Sequence, residues 1–285
     1  MITIYGLDHT SEYPYKNFIK SEYDIDIYCD TTVYHPNSNK KIYIQSEPYT
    51  IYDCRSYLLT QYNRFDYIIC HDPSTFGNIE NKFIEYTSAC SWIDKNFYMN
   101  IDTTKKAFKI SSLTGYKSYA PGHVLRHHLY NNQTEFSQFP IVFYRSSVHP
   151  HISNINNNPF ISLSALSAKV ELFETFQFSL VIENCREINY ISEKLIDCLI
   201  TKTIPIYYGC PSVSKFFNTE GWIILETQDI VHELHAKLPI LNESYYAKYE
   251  AIIEENYRKA QEYASWTINI LNGLEKVPFI TRLST

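Results

Sequence analysis

Residues 178–211 constrain the fold of this chain more than any other stretch. They read FSLVIENCREINYISEKLIDCLITKTIPIYYGCP. The short apolar run 178–182 ends at Glu183-Asn184, and a polar loop, 185–189, follows. From Tyr190 onward, Ile191, Leu195, Cys198 and Leu199 fall at helical spacing. Residues 204–208 are apolar, β-branched and aromatic, and Gly209-Cys210-Pro211 stops them. Strand, loop, helix and strand in this order predict a βαβ unit, whose loops emerge where α/β folds bind ligands. Glu193 and Lys194 fall in the first turn of the helix, where outward amide N–H groups favour anions. On these residues alone, the turn is either a phosphate site or an ordinary solvated helix start.

The spelling of the stretch narrows the choice. Glu183, Asn184, Tyr190, Ile191, Ser192, Glu193, Lys194 and Leu195, followed by Thr203 to Gly209 and Pro211, resemble the donor-site signature of the α-1,3/4-fucosyltransferases, glycosyltransferase family 10. So many fixed positions in order are far more specific than a lone glycine motif. The resemblance implies an α/β fold of the GT-B arrangement: two Rossmann-like domains, with terminal helices packing across the junction. It also implies a nucleotide-sugar donor, GDP-fucose, with no metal or other cofactor required.

Composition sets the outer bounds. A chain of 285 residues suits two domains, each with its own core. Hydrophobic content of 45% and charged content of 20% are those of a globular protein. A net charge of −6 argues against a general nucleic-acid binder, while leaving room for a local basic pocket. The seven cysteines form no CxxC pair and are odd in number, which predicts reduced thiols in a reducing compartment. The amino terminus shows no basic region followed by an apolar core, and no stretch approaches the ~18 apolar residues of a membrane span. The expected location is therefore the cytoplasm. In this the chain resembles the soluble microbial or viral type of the family rather than its Golgi-anchored members.

Taken in order, residues 1–5 and 24–28 predict strands. Asp24-Ile25-Asp26 matches the loose D-x-D pattern of metal-dependent transferases, but alternating carboxylates on a strand ordinarily share a solvent face. Residues 40–45 predict a strand that ends before Pro48, which cannot donate to a ladder. Glu47 then lies on a loop just beyond a strand end. Residues 55–62 predict a short helix, and 65–70 a further strand closed by His71-Asp72-Pro73. Strands with short intervening segments are the mark of a Rossmann-like half. The resemblance extends here, and it implies that Glu47 is the catalytic base of an acceptor-side domain. Ile44 departs from the aromatic that the family often carries three residues before that glutamate. Asp72 is the reserve candidate, with His71 and Glu85 further possibilities.

The domain change is expected near residue 105, giving an N-terminal acceptor-side domain, 1–105, and a C-terminal nucleotide-sugar-binding domain, 106–285. Residues 108–113 predict the first strand of the second domain. A loop at 114–117 and a helix opening at Pro121-Gly122 follow. This strand-loop-helix puts Lys117 and Arg126 where a negatively charged donor would lie. The resemblance implies an arginine on this helix that contacts the nucleotide diphosphate, and Arg126 matches by position. His123 and His127 have a zinc-compatible i, i+4 spacing, yet no further ligand joins them, so packing or surface histidines are the better reading. Residues 133–160 read mostly as loop, with a strand at 141–144. Helices are expected at 169–175, 213–217, 229–238 and, as one long element, 244–270, with a strand at 221–225.

The implied chemistry is a direct displacement at the anomeric carbon by a glycan hydroxyl. Arg126, Lys194 and the helix N-terminus would stabilise the departing diphosphate, Tyr190 would donate to a phosphate, Glu193 would hold the ribose, and Glu183 with Asn184 would shape the sugar pocket. The base would come from the other domain, so catalysis would depend on how the two domains close. Three alternatives stay open: another nucleotide sugar on the same fold, a non-catalytic glycan-binding relative, and a structural protein of a particle or envelope.

Overall fold

The computed structural model describes residues 1–6, 14–77, 82–146, 158–161 and 166–284. They form two compact units. The first comprises Met1–Ala89, Glu187–Tyr190 and Ser265–Thr285; the second comprises Cys90–Arg186 and Ile191–Ala264. The change-over falls between Ala89 and Cys90, ahead of the expected position near residue 105.

The first unit carries β1 (Ile2–Gly6), β2 (Ile19–Lys20), β3 (Ile25–Cys29), β4 (Lys40–Ile44), helix α1 (Cys54–Gln61), β5 (Tyr67–Cys70) and β6 (Phe83–Glu85). Its main sheet is wholly parallel, in the order β1-β3-β4-β5-β6. Parallel sheets are covered on both faces, so their central strands are apolar runs. Every residue of β3 is buried, and so are Ile42, Tyr43 and Ile44 of β4. This corrects the reading of Asp24-Ile25-Asp26. Asp26 is fully buried rather than solvent-facing, and its carboxylate accepts from Asn37 Nδ2 at 2.7 Å and Asn39 Nδ2 at 2.9 Å. Asp24 instead pairs with the terminal amine of Met1. The two carboxylates do different jobs, because β3 is flanked by a strand on each side and a neighbouring loop covers Asp26.

The second unit carries α2 (Lys95–Tyr98), β7 (Ala107–Thr114), α3 (Pro121–Asn131), β8 (Ile141–Arg145), β9 (Phe176–Ile182), α4 (Glu193–Ile200), β10 (Ile204–Tyr208), β11 (Ile223–Ile224), α5 (Ile230–Lys237), α6 (Tyr245–Lys248) and α7 (Glu250–Glu262). Its sheet is also parallel, in the order β11-β10-β9-β7-β8. The βαβ unit expected at 178–211 is present as β9, α4 and β10, with Ile204 opposite Phe178 and Tyr208 opposite Ile182. The segment expected as a helix at 169–175 is a 3-10 turn, Leu166–Leu172, and the segment at 213–217 is a shorter one, Val213–Lys215. Of the long polar segment 133–160, residues 147–157 lie outside the described residues.

The chain ends in α8 (Trp266–Leu274) and β12 (Thr281–Arg282), both within the first unit. The single helix expected over 244–270 is thus three helices. Ser265 causes the last break: its side chain accepts the amide of Ile268 and caps α8. In α8, Asn269 Nδ2 donates to the Ala89 carbonyl at 2.6 Å, and Trp266 meets Tyr15 edge-on. These contacts explain why Ser265–Thr285 belongs with the first sheet rather than, as expected, with the second. Among the described residues, no helix is long and apolar enough to cross a membrane.

Candidate active site

In the second unit, the site grows from the carboxyl end of β9. The ladder continues one residue past the strand, with the Glu183 amide donating to Tyr208 O at 2.8 Å. The Glu183 side chain is fully buried. Its carboxylate accepts the Ser192 amide at 3.0 Å and the Ser192 hydroxyl. Burial raises this carboxyl, against the pull of Lys194 and the Ser192 hydrogen bonds. Ser192 in turn caps α4, its Oγ accepting the Lys194 amide at 3.2 Å. Glu183 therefore fixes where the helix begins. Gly209, one residue past β10, is required by this packing: a Cβ there would lie 2.5 Å from Glu183 Cγ.

The first turn of α4 presents Glu193 and Lys194. Lys194 Nζ donates to Glu193 Oε1 at 3.0 Å and to Ser192 Oγ at 3.2 Å. Burial opposes the charge on Glu193, but Lys194 and Lys169 outweigh it and hold the carboxyl down at about 2. Lys169 was not singled out in the sequence, since nothing local marks a lysine in a polar turn as buried.

Helix α3 supplies the opposite wall. The Gly122 amide donates to Asn184 O at 2.8 Å, and a Cβ on Gly122 would sit 1.7 Å from Glu183 O. Only glycine allows this approach. Arg126 Nη1 donates to the carbonyl of Ile182, and Nη2 donates to Asn184 Oδ1 at 3.0 Å. The guanidinium thus braces the end of β9 besides standing near the site. Burial, then Arg126, Lys194 and Lys117, push the His123 imidazole down to about 3. His123 Nδ1 accepts the Ala120 amide at 3.0 Å, and His127 Nε2 lies 2.8 Å from Gly115 O, so both histidines pack within the unit. Lys117 stands exposed on the loop after β7.

The fold thus brings together Arg126, Glu183, Asn184, Glu193 and Lys194, with Lys117 close enough to act on His123. Tyr190 is different. It groups with the first unit, is buried, and lies with its ring 5.7 Å from His71.

In the first unit, Glu47 follows β4 and is half-buried. Its amide donates to Asp30 Oδ2 at 2.8 Å. His71 follows β5, where Gln45 Oε1 accepts its amide at 3.1 Å and its ring Nε2 lies 3.1 Å from Ser88 Oγ. Burial alone pushes this imidazole down to about 3. Asp72 caps the next turn through Ser74. A cleft of about 470 Å³ opens beside these residues, lined among others by Tyr49, Arg55, His71, Asp72 and Glu187. Glu187 closes one side: its carboxylate accepts the amides of Tyr49 and Thr50, both at 2.9 Å, and the Thr50 hydroxyl at 2.6 Å. Asp72 lines this cleft and Glu47 does not. Glu85, the remaining acid considered, is exposed at the end of β6.

Residues 159–270 match the family described as glycosyltransferase family 10 (fucosyltransferase), C-terminal region. A stretch of 55 residues is 42% identical to the alpha-(1,3)-fucosyltransferase FucT of Helicobacter pylori; it covers 19% of this chain and only 12% of that relative's length. An α,α-trehalose-phosphate synthase (UDP-forming) from Burkholderia vietnamiensis has a similar structure, with a TM-score of 0.56 at 11% identity over 88% of this chain and 70% of that one. An α-glucosyltransferase in complex with UDP and a 13-mer DNA containing a central A:G mismatch gives 0.55 at 13% identity, over 92% and 82%. Both likenesses are of fold: two parallel α/β units of the GT-B glycosyltransferase class. Residues 159–270 are thus similar to the C-terminal region of glycosyltransferase family 10, the fucosyltransferase family.

Proposed function

We propose that this protein is an inverting fucosyltransferase that moves fucose from GDP-fucose to a hydroxyl of an oligosaccharide or glycoconjugate. The observation that carries the reading is the pair of cations beside the N-terminus of α4: Arg126, bonded to Asn184 Oδ1, and Lys194, bonded to Ser192 and Glu193. A departing nucleoside diphosphate needs this environment: fixed cations and amide N–H groups that stabilise charge without rearranging. Arg126 and Lys194 take the phosphate oxygens in this reading. The ionised Glu193 accepts from the ribose hydroxyls. Glu183 and Asn184 shape the sugar pocket through Ser192 and Arg126.

The acceptor proton goes to a carboxylate as the hydroxyl attacks. Glu47 is the base in this reading, and Asp72 is the alternative because it lines the cleft. That cleft, with an aromatic ring, hydroxyls and carboxylates on its walls, has the chemistry to hold a sugar. The reading calls on no metal, since the cations of the chain itself meet the diphosphate. The seven cysteines, with no CxxC pair among them, suit a reducing compartment such as the cytoplasm.

Titration calorimetry with GDP, UDP and dTDP tests the donor, and transfer from GDP-fucose to a panel of neutral oligosaccharides tests the reaction. GDP should bind most tightly and at least one acceptor should be fucosylated with inversion. Tighter binding of UDP, or GDP binding without transfer or donor hydrolysis, would overturn the reading.

A further inference from the structure

Behind Glu193, in the first turn of α4, lie two further charges, Lys169 and Asp197, that the reaction outlined above does not use. Glu193 and Asp197 stand one helical turn apart, so their carboxylates share a face of the helix. Two buried carboxylates side by side repel one another. Lys169 lies between them, its Nζ 2.5 Å from Asp197 Oδ2 and 3.9 Å from Glu193 Oε1. The same ammonium sits 4.5 Å from the centre of the Trp92 ring. Asp197 is anchored at its other oxygen, where Oδ1 accepts from Ser91 Oγ at 2.8 Å and from the Trp92 amide at 2.9 Å.

The order runs from the interior outward. Side-chain exposure rises from 0% at Asp197 to 5% at Lys169, 13% at Glu193 and 24% at Lys194. Each charge is held by the one behind it, and the innermost is held by backbone. A surface ion pair alone would leave Glu193 free to change rotamer; a buried ammonium at its back does not.

We infer that Lys169 is a positioning residue of the donor site: it fixes the Glu193 carboxylate and, through it, the Lys194 ammonium that meets the donor. This rests on the fucosyl-transfer reading for the identity of the donor. It also explains why Glu193 stays ionised although burial opposes its charge. With Lys169 gone, its carboxyl rises, and the site loses both a charge and a fixed direction.

The test is GDP binding by calorimetry between pH 5 and 8, with donor KM and kcat measured alongside. Lys169→Met leaves the buried Asp197 carboxylate without its cation and risks misfolding, so Lys169→Met/Asp197→Asn, which removes the buried pair together, is the main variant. It should melt close to the wild type, bind GDP about tenfold more weakly at pH 7, and weaken further towards pH 5, where the wild type holds. The loss should fall on donor KM more than on kcat. Lys169→Arg should restore most of the affinity and the flat pH profile. A folded double variant with wild-type GDP affinity and pH profile would overturn the assignment and leave fucosyl transfer standing. A wild-type protein that binds no GDP would overturn both.

Discussion

The carboxylate of Asp30, at the end of β3, accepts the backbone N–H of Glu47 at 2.8 Å and that of Ser46 at 3.0 Å. Asp30 thus sets the path of the chain at the residue proposed as the base. Burial raises its carboxyl to about 7, against the pull of those two amides and with a further push from Glu47 itself. The folded state therefore holds a proton that the unfolded chain, near 3.8, has already released. The resulting stabilisation is present in full below about pH 4 and is lost as pH rises through 7. Asp30→Asn removes this dependence. In urea titrations, the stability difference between wild type and variant should move in favour of the variant from pH 5 to pH 8.

Lys106 gives the opposite case. Its ammonium is buried, donating to Phe173 O at 2.7 Å, Thr203 Oγ1 at 2.8 Å and Phe176 O at 2.9 Å, and burial lowers it from 10.5 to about 7. Between about pH 7 and 10.5 the unfolded chain binds more protons, so Lys106 contributes stability that grows as pH rises through this window. Lys106→Met should be less stable overall, because three acceptors lose their donor. Its denaturation midpoint should also lack the wild type's upward slope between pH 7 and 10.

Gly122→Ala should damage the site through packing. The added methyl would meet Glu183 O at 1.7 Å, so α3 and the end of β9 must part. We expect a loss of about 2–3 kcal/mol on unfolding, together with weaker GDP binding. A variant with wild-type stability would show that α3 does not pack as described.

Lys194→Ala removes a cation that is a quarter exposed and donates to Glu193 and Ser192. Turnover should fall by at least ~100-fold, the scale of losing one donor to the transition state, while the melting curve stays in place. Unchanged turnover in a folded variant would remove Lys194 from the site.

Glu187→Ala strips the carboxylate that holds the amides of Tyr49 and Thr50. The first unit should lose about 2 kcal/mol, in line with charge-assisted hydrogen bonds left unmade. If the cleft is the acceptor site, acceptor KM should rise while donor KM changes little. Equal changes in both would place the acceptor elsewhere.

What the sequence determined by itself is local. The period of its apolar runs marks the strands and α4, Ser192 marks where α4 starts, and the spelling from Glu183 to Pro211 marks the family. These signals lie within a few residues of one another, so no fold is needed to read them. Tertiary structure decided what depends on residues far apart in the chain. The D-x-D carboxylates parted company because β3 is a central strand whose Asp26 is met by the loop of Asn37 and Asn39. Arg126 became a brace for β9 because α3 folds back onto Glu183 and Asn184. Ser265–Thr285 joined the first unit because Asn269 finds the carbonyl of Ala89. Lys169 came to lie behind Glu193 because α4 brings Asp197 beneath it. The cause is common to all four: a charged or polar group takes its role from the partner that replaces water around it, and the fold chooses that partner.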